Sequence, residues 1–480
     1  MRLHLILLTS ILIIFCVKKV HVVINLIYFI KIILKQFLKG MNCDEDYDEI
    51  STEDIEEKWF EVYLDHFNIF NNRTFFLRYF VYDQFFKRGG PLLLEIGDQE
   101  AIEPDFVLSH PSLDLAEQLN GKLVLIEHRY YGQSIPFKNF NVNDLAYLSV
   151  EQALEDLALF IETYKRITPG LENSKVGVFG CSYAGSLATW LRYKFPHLVD
   201  GAWASSAPLH VTIDYSDYYE VVGHIYANVS RGCAAAIEQG YKEARQLFST
   251  SNSLKRNRAA FEDWKCGNVT DLTANEMLHA MRSIISNQYS RPNHTIRSCE
   301  YLESKSVKTS YFKQLADFIV EISGEICSSG EAQSDYVERY QTCTEFGYSL
   351  STSSQNQPFK DSFSAVDDLL ESCANDYGEK ITRDVIERSI SRKNRLYGST
   401  NLKVTKVFSI HGTHDPWYRL GLYQSNSKDT PVELVSGTSH CADSTTFENE
   451  SEPPELKEKK KRGMEYMKRW LMPDSVTYVF

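Results

Sequence analysis

Ser182 stands in GCSYAG, between Gly180 and the small pair Ala184 and Gly185, where the strand-like KVGVFG passes into a helical stretch. A serine hydroxyl becomes a nucleophile when an imidazole takes its proton and a carboxylate orients that imidazole. The chain offers both groups downstream in turn-rich sequence: Asp415 in HGTHDPW after KVFSI, and His440 in SGTSHCADS after PVELV. Such a set performs acyl transfer, with His440 carrying the proton and Asp415 fixing its tautomer. The Tyr183 N–H would supply one oxyanion donor, and the loop after PLLLEI, near Gly97 and Asp98, a second. His411 and His414 precede Asp415 and are read as loop or packing residues, while Asp443, on the loop of His440, is a rival acid. No phosphate-binding glycine loop, metal triad or dinucleotide fingerprint competes, so neither metal nor cofactor is expected.

Exposing that serine takes a strand, a sharp turn and a helix, and the chain order Ser, acid, His is that of α/β-hydrolases. The usual Gly-x-Ser-x-Gly pattern would place its second glycine where Ala184 stands, with Gly185 one place late. Strand-like TFFLRYFVYD, PLLLEIGD, KLVLIEHRYYG and KVGVFG alternate with helical VEQALEDLALFIETYKR and SYAGSLATWLRYKF, the pattern of a mostly parallel sheet with helices on its faces. From 212 to 390 the sequence is helix-like, polar and cysteine-bearing, with little strand signal. KVFSIHG, PVELVSG and the helical PELKEKKKRGMEYMKRWL then resume the first pattern. The expected architecture is an α/β-hydrolase fold of two parts, 59–211 and 391–480, interrupted by a disulfide-bearing helical cap, 212–390. No internal repeat is evident.

At 480 residues and 43% hydrophobic, the chain carries ample material for a core, which excludes wholesale disorder and fibrous repeats. Its net charge of −13 argues against nucleic acid as a partner. Residues 1–40 hold six cations and no acid, so the remainder stands at −19. Arg2, the apolar run Leu3 to Val17, and Lys18 with Lys19 have the layout of a secretory signal. Neither that run nor Val20 to Ile30 reaches the roughly 20 residues of a membrane span. No Ala-x-Ala-like cleavage site follows Val17, so segment 1–40 reads as a signal peptide, a signal anchor or an extension outside the working protein. Membrane contact is expected only from an uncleaved anchor. Segment 41–58, with DEDYDEISTEDIEE, reads as a solvated acidic leader, with order beginning near Trp59.

Sequons at Asn72, Asn228, Asn268, Asn293 and Asn449 fit a secretory route. Cys233, Cys266, Cys299, Cys327, Cys343 and Cys373 cluster without CxxC pairs and read as three disulfides, whose pairing spacing alone leaves open. Cys16, Cys43, Cys181 and Cys441 lie outside the cluster, and the last two, beside Ser182 and His440, are read as packing residues.

Taken with their order, LDHFN (64–68), EHRYYGQS (127–134), LSVEQALEDL (148–157), GCSYAG, ASSAPL (204–209), YQTCTEFGY (340–348) and DPW resemble the serine exopeptidases that include lysosomal prolyl carboxypeptidase, dipeptidyl peptidase II and thymus-specific serine protease. The resemblance spans about residues 59–472. It implies the triad Ser182, Asp415 and His440, a helical cap, and the pairs Cys233–Cys299, Cys266–Cys327 and Cys343–Cys373. It also implies peptide substrates cut near proline, with Trp417 similar to an aromatic that lines a proline pocket. One departure is that Gly97-Asp98-Gln99-Glu100 replaces the family's usual Gly-x-Glu-Gly. The expected function is a secreted or lysosomal serine exopeptidase, Pro-Xaa carboxypeptidase-like first and Xaa-Pro dipeptidyl-peptidase as the alternative. An esterase or lipase on the same fold, an inactive binding protein, and assembly as a homodimer stay open.

Overall fold

The computed structural model describes residues 52–472 except 139–140, 262, 264–271, 288–293, 305–309, 327–331, 362–363, 426, 448 and 450. Segment 1–40 therefore lies outside the described residues, as do Cys16, Cys43, Cys266, Cys327, Asn268 and Asn293.

Eight strands form the main sheet: β1 (Glu56–Tyr63), β2 (Thr74–Tyr82), β3 (Leu92–Ile96), β4 (Lys122–Ile126), β5 (Val176–Cys181), β6 (Gly201–Ser205), β9 (Val407–Gly412) and β10 (Val432–Val435). Two short strands, β7 (Thr212–Asp214) and β8 (Gly347–Ser349), lie outside it. The spatial order of the main sheet is β1-β2-β4-β3-β5-β6-β9-β10. The first two pairings are antiparallel and all from β4 onward are parallel. The runs LLLEI, KLVLI and VFSIHG are buried at every position because helices cover both faces, which is why they are continuous and not alternating. Strand β1 begins at Glu56, so regular structure reaches into the acidic segment.

Helices α1 (Pro111–Leu119), α2 (Val150–Ile167) and α3 (Ser182–Lys194) connect the first strands. Leu154, Phe160 and Ile161 of α2 and Leu187 of α3 pack on one sheet face. Leu115 of α1 and Met464, Met467 and Trp470 of the terminal helix pack on the other. Ser149 caps α2 through its hydroxyl, which accepts from the Gln152 N–H.

Between β6 and β9 lie the cap helices α4 (Asp217–Val229), α5 (Arg231–Leu247), α6 (Ser251–Asn257), α7 (Ala274–Ser286), α8 (His294–Ser304), α9 (Tyr311–Ile326), α10 (Ala332–Gln341), α11 (Ala365–Tyr377) and α12 (Arg383–Tyr397). The last helix is α13 (Pro454–Leu471). The cap has its own core, in which Ile237 and Tyr241 of α5 meet Met281 and Ile285 of α7 and Leu315 and Ile319 of α9. It also holds β7 and β8, which pair in parallel. Three-residue strands carry too few alternating positions to read from sequence. Cys233 pairs with Cys299, joining α5 to α8, and Cys343 with Cys373, with Cα–Cα separations of 5.0 and 5.7 Å.

A buried cation joins the cap to the sheet domain. Lys393 of α12 is fully buried, and its Nζ contacts Glu151 at the start of α2 and lies 2.6 Å from Glu345. Burial pushes the Glu345 carboxyl up, and the neighbouring Glu151 charge adds to that, against the pull of Lys393. Replacing Lys393 with Met would leave the buried Glu345 facing Glu151, with only the half-exposed Arg392, 3.3 Å from Glu151, as a nearby cation. The expected loss is about 3–5 kcal/mol, the usual result of breaking a buried ion pair, measurable as a lowered urea midpoint.

Candidate active site

Ser182 directly follows β5 and opens α3, with φ at +56°. That left-handed conformation, costly for serine, is what a nucleophile turn requires, because it lifts the side chain clear of strand and helix. The structure explains the displaced glycine. A Cβ on Gly180 would come 2.3 Å from the Ala184 carbonyl oxygen, and one on Gly185 would come 2.7 Å from the Ser205 carbonyl oxygen. The two positions that need glycine here are 180 and 185, and Ala184 fits at the buried place between them.

His440 follows β10 and brings Nδ1 to 2.9 Å from Asp415 Oδ2. Asp415 is completely buried, and its other oxygen accepts the Trp417 N–H at 2.9 Å. Burial alone would depress the His440 pKa, but the Asp415 charge and its direct contact outweigh burial and leave it raised. Asp443 is occupied elsewhere, accepting from Trp203 Nε1 at 2.8 Å and from the Ser205 hydroxyl. His411 lies inside β9 with its pKa pushed down to about 4 by burial, a neutral core residue, and His414 is also lowered by burial.

The loop after β3 contributes differently from expectation. The Gly97 N–H already donates to the Ile126 carbonyl at 2.8 Å, so it is not an oxyanion donor. The Gln99 N–H donates to the Asp98 carboxylate, leaving the Asp98 N–H as this loop's candidate beside that of Tyr183. The Gln99 side chain donates to Gln341 Oε1 at 2.9 Å, and Gln341 Nε2 donates to the Tyr183 hydroxyl at 3.3 Å. Tyr183 also meets His128 Nε2 at 3.2 Å, and burial holds His128 down at about 4. The departure from Gly-x-Glu-Gly thus places an amide in a network that runs from the cap helix α10 to the residue after Ser182.

Ser182 and His440 open into one cavity of about 620 Å³. Its charged walls are acidic: Glu95, Asp98, Glu100 and Glu338 line it, with His110 and His440, and no Lys or Arg is among the described lining residues. Asp98 is pushed up to about 7 by burial, with Glu100 and Glu338 adding repulsion. Glu338, on α10, carried no signal in the sequence, because only the fold brings the cap over the serine.

The chain matches the family described as Serine carboxypeptidase S28 over residues 62–295 and 262–463. The chain belongs to the S28 serine carboxypeptidase family. The Caenorhabditis elegans protein K12H4.7, named as a serine protease, is 34% identical over 82% of this chain and 84% of its own. Mouse thymus-specific serine protease is 30% identical, covering 86% of this chain and 87% of that one. Human lysosomal Pro-X carboxypeptidase is 27% identical, covering 86% and 88%.

Several motifs that mark this S28 peptidase are structural. Arg129 of EHRYYG grips Asp156 of LSVEQALEDL with Nε and Nη2 at 2.6 and 2.7 Å, and His66 of LDHFN reaches Asp156 at 2.7 Å. Glu127 accepts from Arg78 and Ser134 in the core, and Gly132 at φ +54° leaves room for that carboxylate. ASSAPL, by contrast, holds the histidine loop, because Ser206 Oγ accepts the Cys441 N–H at 3.0 Å. The side chain of Trp417 does not line the cavity. It stacks on Tyr215 at 5.7 Å and meets Tyr218 and Tyr348 edge-on at the base of the cap. Asn72 and Asn228 are exposed and Asn449 is half-buried. No helix among the described residues is long and apolar enough to cross a membrane.

Proposed function

We propose that this S28 peptidase is a secretory-pathway serine exopeptidase that cuts near proline and engages the free amino end of its peptide. Ser182 attacks the scissile carbonyl as His440 takes its proton. The N–H groups of Tyr183 and Asp98 hold the oxyanion, and His440 returns the proton to the leaving amine. Water then repeats the sequence on the acyl-enzyme. The preference for proline rests on kinship with Pro-X carboxypeptidase.

The observation that favours the amino end is the acidic wall of the cavity. An ammonium entering beside Glu338, Asp98 and Glu100 is attracted, whereas a terminal carboxylate there meets like charge. A Pro-Xaa carboxypeptidase is the second reading, favoured by the same kinship. Two substrates decide between them, an Xaa-Pro peptide with a free amine and an N-blocked Pro-Xaa peptide. Faster turnover of the blocked peptide would overturn the first reading.

The pH dependence follows from Asp98. Its carboxyl, pushed up to about 7, is neutral below that pH and ionised above it. KM for the free-amine substrate is therefore expected to fall between pH 5 and pH 7, while that of an N-blocked substrate stays level. Glu338→Gln should raise the free-amine KM by about two- to fivefold, the range of one exposed ion pair, and leave the blocked substrate unchanged.

A further inference from the structure

Cys181 immediately precedes Ser182, and Cys441 immediately follows His440. Their Cα atoms are 5.8 Å apart and their sulfurs are joined, although 260 residues separate them in sequence. That Cα separation lies within the usual disulfide range. Both cysteines are partly exposed and line the catalytic cavity, so a small thiol that enters with substrate can reach the bond. A ring nitrogen of His440 lies within 4.8 Å of both sulfurs.

The position of the bridge gives it a role that the two cap disulfides do not have. Ser182 is held at the centre of the sheet by β5. His440 hangs from a loop beyond β10, a four-residue strand at the sheet edge. Noncovalent ties of that loop include the Cys441 N–H on Ser206, the Asp443 carboxylate on Trp203 and Ser205, and the His414 N–H on the Thr438 carbonyl. The bridge joins the residue next to the nucleophile directly to the residue next to the base. A shift of about 1 Å between such groups lowers rates by about 100-fold.

Resting on the assignment of Ser182 and His440 above, we propose that Cys181–Cys441 is a redox modification site that positions the catalytic pair, so that the bridged enzyme is active and thiol reduction switches it off. A thiolate attacks one sulfur, breaking the Cys181–Cys441 bond and forming a mixed disulfide. A second thiol displaces the first as a small-molecule disulfide, and the enzyme keeps two protonated cysteines. Two electrons pass from the external thiols to the bridge. A disulfide of the same class reverses the reaction.

The test begins with peptide mapping of the unreduced protein, which is expected to yield the segments containing Cys181 and Cys441 as one crosslinked species. Two free thiols, with or without zinc between them, would overturn the proposal whatever the activity. Dithiothreitol titration should then lower kcat by about 10- to 100-fold in step with loss of that crosslinked species, with KM little changed. Fluorophosphonate labelling of Ser182 should slow in parallel. The double variant Cys181→Ser, Cys441→Ser should start at the lowered kcat and resist further loss with dithiothreitol. A double variant with the wild-type kcat, or with the wild-type response to dithiothreitol, places the sensitivity elsewhere and overturns the idea. If that variant does not fold, the wild-type titration read by mapping and kcat together still decides. No labelling at Ser182 in the unreduced enzyme would count against the triad and leave the mapping result to judge the bridge alone.

Discussion

Ser182→Ala is expected to lower kcat by about 10⁶, because without the hydroxyl neither His440 nor Asp415 has a nucleophile to serve and the three act as a unit. The residual rate over water, about 10³–10⁴, would come from substrate held against the oxyanion donors. Because Ser182 sits at φ +56°, alanine meets the same backbone strain as serine, so the fold and the melting temperature should be nearly unchanged. The measurement is kcat on a proline-containing peptide, with fluorophosphonate labelling as the independent check. A variant that keeps wild-type turnover would remove Ser182 from the mechanism.

Asp415→Asn should come next, with a loss in kcat of about 10⁴. The amide fits the same buried place but no longer supports the imidazolium, and its NH₂ group favours the wrong tautomer of His440. The pH profile should move as well. In the wild type, burial lowers the His440 pKa but Asp415 more than offsets it, so the base is lost to protonation as pH falls through a value above the usual histidine range. With the amide in place the main opposing charge is gone, burial prevails, and the acidic limb of kcat/KM should shift to lower pH. A limb that stays where it was would mean that His440 takes its charge partner from elsewhere, with Asp98, which lines the same cavity, the first residue to examine.

What the sequence made legible was local. The nucleophile turn is a continuous string whose strand, sharp turn and helix are contiguous, and the buried strands of the parallel sheet read as unbroken apolar runs. Asp415 and His440 were legible because each follows its own strand in the order the fold imposes. Three things were not. Gly97 looked like an oxyanion donor because sequence does not show that its N–H is already bound to Ile126. Cys181 and Cys441 read as packing residues because a pairing across 260 residues leaves no trace in spacing. The acidic cavity draws its walls from β3, the loop after it and the cap helix α10, so its charge exists only once those distant segments meet.

The strand order also bears on how the molecule comes into being. Strand β6 ends at Ser205 and its neighbour β9 begins at Val407, so the sheet cannot close until the whole cap has been synthesised. At about 5–20 residues per second, translation of the intervening chain takes roughly 10 to 40 s. Through that interval the nascent chain holds Ser182 but neither Asp415 nor His440. A serine peptidase that draws on all three residues is inert during most of its own translation and is armed only when the final strands dock.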